Sequence, residues 1–204
     1  MKPLKLAPTI STPILEDFHS NTDFAEKVRK RQSANIVEGY TLITEFDSPQ
    51  LHKFFSEINV DNDRLWDVIK ELVMQFPNEV ALIYHHIDDE PTYGNYLDKY
   101  ELIKILEEYK LELTQDGFLK FGIISNTEDF LEEVFVEKAK YLQYWGMDKE
   151  RFIESMNKSD LYYVKDLDFI DGYPLQTRVL NYYQPNAIET HQLLKKLDEL
   201  FLYE

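Results

Sequence analysis

The sequence predicts an α+β protein: a mostly antiparallel sheet covered by amphipathic helices, with a C-terminal helix. Three observations point there. Some segments repeat apolar residues at helical spacing while others alternate or run apolar throughout, without the regular strand–helix–strand succession of a parallel sheet. Asp116-Gly117 is a turn signal of the kind that joins antiparallel strands. Hydrophobic residues at 44% and charged residues at 29% are ordinary globular proportions, so a 204-residue chain can bury a core without disulfides or metals.

Taken in order, residues 1–20 read as an extended N-terminal arm, because Pro3, Pro8 and Pro13 oppose helix. Residues 21–204 then form a single α+β domain. Asn21 or Thr22 caps a short helix to about Arg31, acidic at its start and basic at its end, as the helix dipole favours. Ile36 to Phe46 alternates and reads as a strand. Ser48-Pro49 reads as a helix start, with Leu51, Phe54, Phe55 and Ile58 as its apolar stripe. Leu65, Trp66, Ile69, Leu72, Val73 and Phe76 form the clearest amphipathic helix, stopped by Pro77.

Val80 to Ile87 is apolar on both faces and reads as a central strand. A helix follows from about Tyr96 to Glu108. Leu111 and Leu113 lead into the Asp116-Gly117 turn, and the chain returns as a strand from Phe118 to Ser125. Another strand covers Val134 to Val136, with an extension toward Tyr144 open to it. Asp148 caps a helix bearing Phe152, Ile153 and Met156, and Tyr162 to Ile170 fits either strand or helix. Asn186 and Glu189 resemble a capping box opening a terminal helix with Leu193, Leu194, Leu197, Leu200 and Phe201 on one face.

Charge narrows the partners. The net charge is −16: residues 1–50 carry 6 basic and 7 acidic groups, and residues 51–204 carry 16 and 31. Such a surface repels phosphate backbones and anionic lipid, so neither nucleic acid nor membrane is expected, while a basic protein partner is admitted. No stretch has the length of a membrane span and the N-terminus has no signal-like apolar run, so a cytoplasmic protein is expected. Without cysteine, thiolate metal sites and cysteine nucleophiles are excluded. Six glycines arranged in neither a Gly-x-Gly-x-x-Gly nor a Walker motif argue against the usual nucleotide loops, and no cofactor is expected.

Two groupings remain. His85, His86, Asp88 and Asp89 stand at the exit of the central strand, where imidazoles and carboxylates suit a divalent metal and a metal-assisted hydrolase. Strand alternation points the adjacent histidines apart, which opposes a shared ion. Asp166, Asp168 and Asp171 fail the calcium-loop pattern, since Ile170 and Thr177 fall where ligands belong. The second grouping joins carboxylates and aromatics: Glu132, Glu133, Tyr141, Tyr144, Trp145, Tyr162 and Tyr163. Seven of the 14 tyrosines lie between 141 and 183, and Tyr and Trp favour interfaces. The expectation is a non-enzymatic, acidic protein-binding chain that in composition is similar to small immunity and inhibitor proteins. A self-associating structural subunit is the further alternative.

Overall fold

The computed structural model describes residues 2–13 and 22–202. The chain forms β1 (Ile10–Ser11), α1 (Thr22–Gln32), β2 (Gly39–Tyr40) and β3 (Phe54–Asn59), then crosses through α2 (Leu65–Val73) to β4 (Glu79–His86). Short strands β5 (Thr92–Tyr93) and β6 (Leu97–Asp98) precede the helices α3 (Lys99–Leu106) and α4 (Lys110–Gln115). There follow β7 (Leu119–Asn126), β8 (Leu131–Val136), β9 (Leu142–Gly146), α5 (Lys149–Lys158), β10 (Gln176–Thr177) and α6 (Thr190–Phe201). The α+β class with a C-terminal helix is as the sequence predicts.

Strand order is β2-β3-β9-β8-β7-β4-β5, with β6 also on β4, and every ladder is antiparallel. β7, β8 and β9 form a meander. β3 and β4 flank it and run in the same direction, so a hairpin cannot join them, and α2 makes the crossing. This explains α2's near-complete burial, with Leu65, Trp66, Val68, Ile69, Leu72 and Val73 all inside. Its C-terminal end is closed by a buried lysine: Lys99 Nζ donates to the carbonyls of Met74 at 2.9 Å and Phe76 at 2.6 Å.

The two faces of the sheet differ. On the first, Phe54, Ile58, Leu82, Phe121, Val134 and Tyr144 meet α2 to α6 in the main core, which also takes in Leu102, Leu113, Phe152, Leu193 and Phe201. On the second, Ala81, Ile83, Ile124 and Phe135 form a smaller cluster, with Leu131 and Trp145 packed against it. Among the described residues, every member of that second cluster belongs to a strand. Gly122 lies beneath Phe135; a Cβ there would stand 2.5 Å from the Phe135 ring.

Several local expectations yield to pairing. Residues 54–59 are strand rather than helix, because five in-register pairs with β9 claim them and Phe55 turns to the opposite face from Phe54 and Ile58. The expected strand over Ile36 to Phe46 reduces to Gly39–Tyr40 and a bridge from Ile43 to Phe55. The strand over Val134 to Val136 is present as part of β8, but it does not continue to Tyr144: a turn in which Lys140 takes φ 62° intervenes, and Leu142–Gly146 is a separate strand. Leu111 and Leu113 lie in α4, so Asp116-Gly117 joins a helix to β7 rather than two strands; Asp116 accepts from the Phe118 N–H at 2.9 Å. Asp98 caps α3, and α6 begins at Thr190 with no side-chain capping bond from Glu189. Tyr162 to Ile170 is neither helix nor strand apart from a bridge at Tyr163 and the start of a 3-10 turn at Ile170.

Of the arm, residues 14–20 and the Asn21 cap lie outside the described residues. Residues 2–13 are stitched to the body: Ile10 and Ser11 pair with β10, and the Lys5 N–H donates to Asp61 at 2.7 Å. No described helix is long and apolar enough to cross a membrane.

Candidate functional site

The end of β4 separates its histidines, as alternation requires. His85 lies buried on the second face. Its Nδ1 stands 2.9 Å from the His86 carbonyl and 2.8 Å from the Asp89 carbonyl, so Nδ1 carries the proton and donates. His86 turns to the other face and stacks between Phe118, 5.8 Å away and parallel, and His191 of α6, 5.1 Å away. Its Nδ1 accepts from the Asp88 N–H at 3.3 Å, while the Asp88 carboxylate is 3.8 Å off. Thus His85, His86, Asp88 and Asp89 do not converge. Among the described residues no group of three or more His, Asp or Glu is placed to hold a metal ion. His191 could not be tied to His86 by sequence spacing, since α6 delivers it from over a hundred residues away.

The aromatic and acidic set is dispersed, with one exception. Tyr144 is in the core, stacked on Phe54 at 5.6 Å. Tyr141 is buried and its hydroxyl donates to Asp171 at 3.1 Å; burial and that neighbouring carboxylate both hold its proton on. Tyr162 and Tyr163 are exposed beside β2, where Tyr163 leans edge-on to Tyr40 at 6.2 Å. Glu132 faces the helix-covered side, in register with Ser125, its carboxyl raised by burial against the pull of the Met147 backbone and Arg151.

Glu133 and Trp145 are the exception, directly opposite across β8 and β9 on the second face. Direct neighbours of this kind hold Cβ atoms about 5 Å apart. The ladders extend the row to Phe55, Trp145, Glu133, Ile124 and Ala81. Phe55 and Trp145 rings are 5.0 Å apart and tilted by 47°. Glu133 is therefore a half-buried carboxylate in register between Trp145 on β9 and Ile124 on β7. Among the described residues it has no hydrogen bond and no ion pair. Burial alone pushes its carboxyl up to about 7, because a charge is penalised where water is excluded.

The next row contrasts with it. Lys120 of β7 pairs with Glu137 at 3.0 Å and lies 5.2 Å from the Phe135 ring centre. Sequence reading grouped Glu132 with Glu133 as one acidic pair and so missed Phe55, Ile124 and Phe135. The available signal was alternation: Leu131, Glu133 and Phe135 share one face of β8, and of these three Glu133 alone is charged.

Elsewhere, a groove of about 600 Å³ is bounded by Lys27, Lys30, Glu57 and Tyr173. Its carboxylates are engaged: Asp171 by Tyr141, Asp168 by the Asn35 N–H and the Tyr173 hydroxyl, and Glu57 by Gln143.

Compared with known proteins, the chain matches no family model, no curated protein and no solved structure.

Proposed function

We propose that the chain is a non-enzymatic binding protein that docks a basic protein partner on the second face of its sheet. One observation carries the reading. Among the described residues, the apolar cluster on that face is made of strand side chains alone, and at its centre stands a carboxylate without a counter-charge. The four cluster members are themselves buried, at 2–8% exposure, so what a partner meets on this face is the half-buried Phe55, Leu131, Glu133 and Trp145 beside them. Aromatic anchors such as Trp145 and Phe55 suit the centre of an interface. The acidic body steers a basic partner toward it.

Self-association through the same face is disfavoured by symmetry. A two-fold contact sets a patch against its own copy, which would bring two Glu133 carboxylates to one interface.

The test is capture from a lysate of the source cell, with the full chain as bait in three forms: native, Glu133→Lys, and Glu128→Lys as an exposed control. The expected result is a basic protein held by the native and Glu128→Lys baits and lost with Glu133→Lys. Identical captures by all three baits, or none by any, would overturn the reading.

A further inference from the structure

Of the carboxylates on the second face, Glu137 is answered by a cation from within the chain, Glu57 by a hydrogen bond from Gln143, and Glu133 is left unanswered by the described residues. Glu137, just past β8, is met by Lys120 at 3.0 Å, with the two side chains only 17% and 21% exposed. The same ammonium lies 5.2 Å from the Phe135 ring centre. Carboxylate, cation and aromatic ring thus form one unit, in which the ring's negative face and the carboxylate both favour the positive charge. Glu133 precedes Phe135 by two residues on the same strand and face. It too has a ring beside it, Trp145 in register across the ladder, with Phe55 next in the row. No cation among the described residues reaches it.

Resting on the docking reading above, we propose that Glu133 and Trp145 are the seat for an arginine side chain of the partner. The guanidinium pairs with the carboxylate and lies against the indole. Two arguments select arginine over lysine. The guanidinium is planar and weakly hydrated, so it sheds water at lower cost on entering a row flanked by Ile124 and Phe55. It also stacks on an indole while donating two N–H bonds in its plane, which an ammonium cannot do.

The seat is linked to protons. Burial holds the Glu133 carboxyl near 7, and a guanidinium beside it favours the ionised form. Arginine binding therefore strengthens as pH rises through that value. Among the described residues the other titratable groups on the strands of this face include Glu57 of β3, His85 of β4, Tyr93 of β5, Lys120 of β7 and Glu137 beyond β8; β9 offers Gln143 and Trp145. Lys120 is committed to Glu137, and the His85 Nδ1–H to two carbonyls.

The experiment follows the two indole N–H signals of the full chain by proton–nitrogen NMR while an acetyl-Gly-Arg-Gly amide is added. Peptides with lysine or citrulline in place of arginine serve as comparisons. Trp66 is the internal control, being buried and bonded to Glu107. The expected result is a saturable movement of the Trp145 signal with arginine, a weaker one with lysine and none with citrulline, while Trp66 stays still. Glu133→Gln keeps the side-chain shape, its spectrum verifies the fold, and it weakens the arginine response about tenfold or more. No movement of Trp145 with arginine, or an equal movement with citrulline or in Glu133→Gln, overturns the seat. The two readings fail separately. Loss of capture with Glu133→Lys but no arginine response removes the seat and keeps the docking face. An arginine response with capture unchanged keeps the seat and removes the docking face.

Discussion

Glu133 and Lys140 are two charged side chains whose burial works in opposite directions along the pH axis. The Glu133 carboxyl is raised to about 7 from 4.5, so between those values the folded state holds a proton that the unfolded state has released. Stability is then highest below 4.5 and falls as pH rises toward 7. Lys140 is fully buried, donates to the carbonyls of Leu113 and Leu119, and is lowered by burial to about 7 from 10.5. Between 7 and 10.5 the unfolded state binds the extra proton, so stability rises with pH there. Glu133→Gln should remove the Glu133 share of the acid limb, leaving the smaller shares of Glu57 and Glu132, whose carboxyls burial also raises, and leaving the Lys140 limb unchanged. Urea unfolding at about pH 5 and about pH 8 checks this: the variant gains ~1–2 kcal/mol at the higher pH and little at the lower. A residue whose neutralisation stabilises the free protein while weakening its contacts bears the mark of a functional site.

Among the elements, the helices were legible because their apolar faces are local. The Leu65 to Phe76 stripe is buried throughout, and Asp148 caps α5 by accepting from the Arg151 N–H at 3.0 Å. The strands were less legible, because partners distant in sequence decide them. Leu51, Phe54, Phe55 and Ile58 have helical spacing, yet β9 claims Phe54 to Ile58. Nothing local in Val134 to Tyr144 shows the turn at Lys140, since a lysine with positive φ is uncommon. The closure of α2 by Lys99 was equally hidden in the sequence. Replacing Lys99 with Met leaves two buried carbonyls without their donor, and should lower stability by ~1–3 kcal/mol. The urea midpoint measures this, and the Trp66 signal reports whether α2 itself loosens.

On the scale of the whole molecule, a net charge of −16 sets two responses to salt. Screening relieves self-repulsion, so added salt should raise the unfolding temperature of the free chain. The same screening shortens the reach of the acidic field, so affinity for a basic partner should fall between about 0.05 and 0.3 M salt. Calorimetry and a binding titration across that range check the opposing trends. Composition made this acidity plain, and alternation foretold that His85 and His86 diverge. The candidate site was only half legible. Glu133 and Trp145 were both in the predicted set, but their adjacency depends on the β8–β9 register. Tyr144, beside Trp145 in sequence, faces the core for the same reason.

The most direct test is titration of the Glu133 side-chain carboxyl by carbon NMR in the full chain, free and with the arginine peptide. A midpoint near 7 in the free protein, moving down when the peptide binds, is the expected result. A midpoint near the ordinary 4.5, unmoved by the peptide, would contradict the claim that this carboxylate waits on a partner's charge.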